Sequence, residues 1–184
     1  MRSAKQYSSA QFMITARLSG MAFSADEEKI LFTSDASGIF NACEVRLSDS
    51  RQRQLTYSRG ENIQGLSYFP DDARILFSKD RGNLENSILC VLDPTGNEIV
   101  LTPGEEVQTL VHGWSSDQHS FYVSTNERDQ RLYDLYKFDA RTLARSLVHR
   151  ATEKYYFCSI SADEKYVLFT KSDRKSDSNI FLYD

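Results

Sequence analysis

The sequence predicts an all-β chain built as a β-propeller of four-stranded antiparallel blades, and three observations carry that expectation. A unit returns four times, each copy marked by a turn aspartate at Asp26, Asp72, Asp117 and Asp163, at intervals of 46, 45 and 46 residues. Behind each aspartate, after a short gap, runs an apolar strand: Ile30-Leu31-Phe32-Thr33, Ile75-Leu76-Phe77-Ser78, Phe121-Tyr122-Val123-Ser124 and Val167-Leu168-Phe169-Thr170. The 184 residues include 10 Tyr and 11 Phe against one Trp, and wide rings pack well on a pleated surface. A period of this length with several short strands per unit marks a propeller, each repeat being one blade.

Residues 1–16 do not match the repeat. Within them Ser9-Ala10-Gln11-Phe12-Met13-Ile14 suits a helical turn or an extra strand, and periodicity cannot choose over so short a span. The first blade, residues 17–57, is expected to place strands at 17–23, 29–33, 40–47 and 53–56. The second, 58–104, places them at 63–69, 74–78, 87–92 and 98–101. Its separators are Pro70-Asp71-Asp72, Asp80-Arg81-Gly82-Asn83 and Asp93-Pro94-Thr95-Gly96-Asn97, which carry the residues tight turns demand. The third, 105–150, has strand signals at 108–114, 120–125, 132–138 and 144–149. The fourth, 151–184, has them at 155–160, 166–170 and 180–183 and is expected to lack its outer strand.

Each turn aspartate has a mechanical role, because its carboxylate can accept backbone N–H groups two residues on and set the first hairpin. The apolar strand that follows belongs in mid-blade, where both faces meet neighbouring blades and hydrophobic alternation blurs. Trp114 aligns with Phe23, Phe69 and Ile160 and is expected to pack between blades.

The formal net charge of −4 comes from 26 acidic and 22 basic residues spread along the chain. No basic run could neutralise a row of phosphates, so nucleic acid is not an expected partner. No stretch reaches the roughly 20 apolar residues that cross a bilayer, and the N-terminus carries Arg2 and Lys5 without an apolar signal core. The chain is therefore expected to have no membrane partner and to be cytoplasmic, or periplasmic if a signal was lost. Cys43, Cys90 and Cys158 show no paired spacing and fall inside expected strands, as reduced core thiols do.

The blade motifs resemble those of TolB and of the N-terminal propellers of the prolyl oligopeptidase family of serine peptidases. The first blade has Phe23-Ser24-Ala25-Asp26, then Ile30-Leu31-Phe32-Thr33-Ser34-Asp35, Gly38-Ile39-Phe40-Asn41 and Gln54-Leu55-Thr56. The second has Phe69-Pro70-Asp71-Asp72, Ile75 to Gly82 and Val100-Leu101-Thr102. The resemblance spans residues 17–184, and the run from Thr33 to Asn41, with residues 7–12 upstream, leans towards the peptidase propellers. The glycine expected after each turn aspartate is replaced by Glu27, Ala73, Gln118 and Glu164. In the peptidases such a propeller precedes an α/β-hydrolase domain with a Gly-x-Ser-x-Gly elbow. The 184 residues contain no such elbow.

The remaining candidate residues point to no other chemistry. His112 lies in a first strand, His119 in a turn and His149 at the end of a fourth strand, with no carboxylate partner implied by spacing. Glu27-Glu28 and Glu105-Glu106 read as solvated loop charge rather than the amine-holding glutamates of dipeptidyl peptidases. Asp71-Asp72 supplies too few oxygens for calcium. The stretch Arg128 to Lys137 reads as a hairpin with alternating faces. No catalytic, cofactor-binding or metal residue is therefore assigned, and no cofactor is expected.

Three full blades and a partial one leave open faces and an unpaired edge, so the chain is expected to be part of a larger ring. A complete four-bladed ring, with residues 11–16 as the missing outer strand, is the competing arrangement. The resemblance implies a non-catalytic propeller that gates peptide access to a hydrolase domain of the same parent chain. A TolB-like module that binds a protein or peptide ligand is the alternative.

Overall fold

In the computed structural model, which describes residues 7–9, 15–80, 86–174 and 177–184, the described residues form four antiparallel sheets with strands in consecutive order. The first holds β1 (Leu18–Phe23), β2 (Lys29–Ser34), β3 (Asn41–Arg46) and β4 (Gln52–Gln54). The second holds β5 (Asn62–Tyr68), β6 (Ile75–Asp80), β7 (Ser87–Leu92) and β8 (Glu98–Val100). The third holds β9 (Thr109–Trp114), β10 (Ser120–Asp129), β11 (Leu132–Asp139) and β12 (Arg145–His149). The fourth holds β13 (Tyr156–Ile160), β14 (Val167–Arg174) and β15 (Asp177–Tyr183), three strands as expected. Each sheet is a blade, and the sheets do not close into a ring. Most of residues 9–14 and the turn at 81–83 lie outside the described residues, which leaves the helix-or-strand choice and the four-bladed closure there.

Blades cohere because the second and third strands of each sheet present apolar side chains on both faces. Ile75 and Phe77 of β6, with Ile88 and Cys90 of β7, pack back against Leu31 and Ala42 of the first blade. Leu76, Leu89 and Val91 alternate with them and pack forward against Phe121, Val123 and Phe138 of the third. Tyr122 and Leu135 then meet Val167 and Phe169 of the fourth. Period-two alternation thus serves two cores at once. Trp114 sits between blades as expected, its ring 5.1 Å from both Phe69 and Phe121.

The first strand of every blade carries a bulge, at Ser19/Ala22, Gly65/Ser67, opposite Tyr122/Val123 and at Phe157/Ser159. An extra residue bends the strand and leaves itself unpaired. This is why Cys158, inside β13 as expected, is exposed while Cys43 and Cys90 are buried. At Gly20 (φ 58°) a Cβ would lie 3.1 Å from the Gly65 carbonyl, so β1 can approach β5 this closely only with glycine there.

Three of the four first turns share one construction. Asp26, Asp117 and Asp163 accept the Ser24, Ser115 and Ser161 hydroxyls at 2.5, 2.6 and 2.6 Å, and the N–H groups of Glu28, His119 and Lys165. Those hydroxyl bonds are the first cause holding the three carboxyls below the usual range. Glu27, Gln118 and Glu164 then adopt φ of 57°, 61° and 58°, the left-handed conformation that explains the glycine of the family pattern. The second turn differs. Phe69 replaces the serine and turns into the core, and Asp72 instead receives the Arg74 N–H at 2.8 Å. Pairing across the sheet corrects the alignment as a result: Tyr68, opposite Ile75, is the counterpart of Phe23, Trp114 and Ile160, and Phe69 lies one residue beyond.

The closing Leu-Thr of the motif also has a mechanical reading. Thr56 and Thr102 accept the N–H of Ala42 and Leu89 at 2.9 and 2.7 Å, tying each outer strand to the third strand's start. In the third blade Asp134 does this work, accepting Arg128 Nε at 2.7 Å and the Ala151 N–H at 2.8 Å.

Glycine relieves the left-handed strain at Glu27 and Gln118, both exposed. Glu27→Gly and Gln118→Gly should each raise stability by about 0.5–1 kcal/mol in urea unfolding, after the entropic cost of glycine is subtracted. Ala73→Gly, where φ is not positive, should give no gain; an equal gain there would refute the strain.

Candidate functional site

Compared with one another, the copies differ most sharply at one place. The third strands align as Asn41-Ala42-Cys43-Glu44-Val45-Arg46, Ile88-Leu89-Cys90-Val91-Leu92-Asp93, Asp134-Leu135-Tyr136-Lys137-Phe138-Asp139 and Asn179-Ile180-Phe181-Leu182-Tyr183-Asp184. Cross-strand pairs confirm that register: Leu31 faces Glu44, Leu76 faces Val91, Tyr122 faces Lys137 and Leu168 faces Leu182. The first blade alone therefore has a carboxylate at the fourth position. At the sixth it has an arginine where every other copy has aspartate.

Two of the aspartates at that sixth position, Asp93 and Asp139, cap the turn that follows. Asp93 accepts the N–H groups of Thr95 and Asn97 at 2.8 and 2.9 Å, and Asp139 accepts those of Arg141 and Thr142 at 3.1 and 2.7 Å. The Asp93 carboxyl is drawn down to about 2, first by the Thr95 hydroxyl. In the first blade Asp49 takes over the cap, accepting the Arg51 N–H at 3.0 Å. The Arg46 guanidinium lies 3.6 Å from that capping carboxylate.

Glu44 is buried against the second blade. The Tyr68 hydroxyl donates to its Oε2 at 3.0 Å, Arg53 Nε lies 3.0 Å from Oε1 and Lys29 Nζ lies 3.8 Å from Oε2. Burial, and next the charge of Glu44, pushes the Tyr68 phenol above its usual range, so it stays a proton donor. A buried carboxylate needs such partners, since an unpaired one costs several kcal/mol, roughly, in desolvation.

Around this pair open two adjoining hollows that share Lys29, Glu44 and Arg53, one of about 290 Å³ in the joint with the second blade and one of about 320 Å³ lined by first-blade residues alone. Arg46 and Arg51 extend the first-blade wall, and residues 93–96 close the opposite side. Lys29 pairs with Arg46 across β2 and β3, and the Arg46 N–H donates to the Arg51 carbonyl at 3.0 Å. Three cations thus stand in one transverse row of the sheet.

The residues marked by the sequence do not converge here or elsewhere. His112 packs on Phe157 with ring centroids 4.2 Å apart, and its Nε2 lies 2.7 Å from Ser124 Oγ. His149 stacks near Phe169 and Tyr183, both 4.6 Å away. His119 is exposed on a turn. Asp72 holds Arg74, which lies 4.1 Å over the Phe69 ring and donates to the Ala140 carbonyl at 2.7 Å, clasping the second blade to the third. Glu27, Glu28, Glu105 and Glu106 are exposed, and Glu106 accepts from Gln130. Arg128 and Lys137 lie on the β10–β11 hairpin and join neighbouring segments, Arg128 through Asp134 and Lys137 through Glu164. Among the described residues no three His, Cys, Asp or Glu side chains gather to hold a metal ion. Reading copies singly missed the Glu44 cleft; the signal was the mismatch between copies.

Tyr68→Phe should cost about 1–3 kcal/mol, because it strips a donor from a buried charge. Adding Glu44→Val, which restores the apolar residue of the second blade, should recover most of that loss. A double-mutant cycle by urea unfolding reads the coupling, and a coupling near zero would remove the pair from the joint. Burial also pushes the His112 pKa down to about 4 from near 6.5. The neutral ring's contribution is whole above the higher value and is lost as pH falls through the lower one. The fall in melting temperature between pH 7 and pH 5 should therefore be shallower in His112→Phe; an unchanged slope would count against it.

By sequence the chain matches no family model and no curated protein. By structure it is similar to TolB from Acinetobacter baumannii, with a TM-score of 0.64 and 18% identity over 91% of this chain and 41% of that one. It is similar to prolyl oligopeptidase B from Galerina marginata, with a TM-score of 0.63 and 12% identity over 89% and 25%. An oligogalacturonate lyase from Vibrio parahaemolyticus follows at 0.57 and 20% over 85% and 46%. The chain spans less than two thirds of the length of each. At such identities the likeness is one of fold: a run of propeller blades like those of TolB and the prolyl oligopeptidases.

Proposed function

We propose that this chain is the non-catalytic propeller region of a prolyl oligopeptidase-type serine peptidase and gates peptide access to a hydrolase domain of the same parent chain. The observation that carries the reading is where its ionisable groups sit. The turn aspartates set hairpins, Arg74 and Arg128 clasp neighbouring segments, and two of the three histidines pack among aromatic rings. A scaffold built this way borrows its chemistry from elsewhere. The likeness to a prolyl oligopeptidase supports the same reading. The buried free thiols Cys43 and Cys90 support a reducing, cytoplasmic setting. Among the described residues no helix is long and apolar enough to cross a membrane.

The second reading, a TolB-like module that binds a protein or peptide ligand, is favoured by the TM-score of 0.64 to TolB. The coding sequence beyond Asp184 separates the two. A Gly-x-Ser-x-Gly elbow several hundred residues on is expected, and a stop codon after two further blades would sink the peptidase reading. The purified chain should not hydrolyse peptide nitroanilides at any pH; turnover abolished by mutating one of its own residues would overturn the non-catalytic assignment.

A further inference from the structure

We propose that the cationic hollow of the first blade, beside its joint with the second, is a binding site for a small oxyanion, a carboxylate or phosphate group, held by Arg51 and Arg53 with Arg46 and Lys29 behind them. This stands apart from the peptidase reading, because it rests on the first two blades alone.

The first argument is the like-charge row. Lys29, Arg46 and Arg51 are successive cross-strand neighbours, an arrangement that destabilises a sheet in the absence of a counter-charge. The corresponding rows elsewhere lack it: Arg74 stands with Asp93 and Asn97 in the second blade, and Ser120 with Asp139 and Ala144 in the third. A repeat that breaks its own pattern at a stability cost does so where function sits.

The second argument is the account of the local carboxylates. Glu44 is occupied by Tyr68 and Arg53 Nε, with Lys29 Nζ at 3.8 Å. Asp49 caps its turn and reaches Arg46 at only 3.6 Å. Asp93, on the facing wall, is held within its own turn by Thr95 and Asn97. No carboxylate pairs with the Arg51 guanidinium among the described residues, and the Arg53 side chain, beside Glu44 at Nε, is 66% exposed. Lys29, Arg46, Arg51 and Arg53 thus stand against two carboxylates, Glu44 and Asp49, a local excess of positive charge in a chain of net charge −4. Two guanidinium forks two residues apart on one face suit bidentate capture of a planar carboxylate or of phosphate.

Glu44 gives the site a tuning element. Its charge opposes a bound anion while its hydrogen bond holds the joint, so neutralising it without removing the acceptor should tighten binding.

The test is titration of the ¹⁵N-labelled chain, at constant ionic strength, with inorganic phosphate in one arm and citrate in the other. Saturable shifts confined to amides of residues lining the hollow are expected for at least one anion, and the arm that saturates identifies the group. Arg51→Ser with Arg53→Ser should weaken binding at least tenfold; both positions are exposed and Tyr68 and Lys29 still hold Glu44, and a dispersed amide spectrum of the variant confirms that the fold stands. Glu44→Gln should tighten it severalfold, which a merely structural cluster would not do. Absence of saturable shifts with both anions would overturn the proposal, as would unchanged affinity in the serine variant or in Glu44→Gln.

Discussion

Everything in this molecule depends on sheets packing face to face through strands apolar on both sides. Ile75 and Phe77 look back to the first blade while Leu76 between them looks forward to the third. A half-buried sheet needs one apolar face, but each interior blade here needs two. The same alternation leaves apolar side chains exposed where a sheet has a neighbour on one side only: Leu168, Ile180 and Leu182 share a face of the fourth blade that meets nothing among the described residues, and Ile180 is 73% exposed.

Several polar groups in these joints are held by hydrogen bonds. Asn41, fully buried, accepts the Thr56 hydroxyl at 3.0 Å and the Ser58 N–H at 2.8 Å. Asp134 occupies the aligned position in the third blade and is satisfied by Arg128 and Ala151. Arg74 works between the second and third blades, its guanidinium shared among a carboxylate, an aromatic face and a carbonyl. Each arrangement offsets the desolvation of a polar group with hydrogen bonds across a seam. The seams are therefore directional as well as apolar.

Against that background a departure from the repeat is informative. Where the copies agree, the shared residue has a mechanical job, as the turn aspartates and closing threonines do. Where one copy departs from the others, as Glu44 does, the facing blade supplies the partner that holds it, here the Tyr68 hydroxyl. The cationic row beside them has no counterpart in the second or third blade.

The sequence by itself determined the blades, their order and the jobs of their punctuation, because turn chemistry and two-residue alternation are local properties of the chain. It also announced the short fourth sheet. Only the tertiary structure decided which aromatic residue of the second blade stands in register, since Phe69 and Tyr68 are neighbours and the pairing with Ile75 chooses between them. Only it exposed Cys158, through a bulge that strand periodicity does not record. And only it brought Glu44 to Tyr68, 24 residues along the chain. The physical reason is the same each time: the environment of a joint residue is set by the facing blade, and no local pattern in one blade encodes what the next will place opposite it.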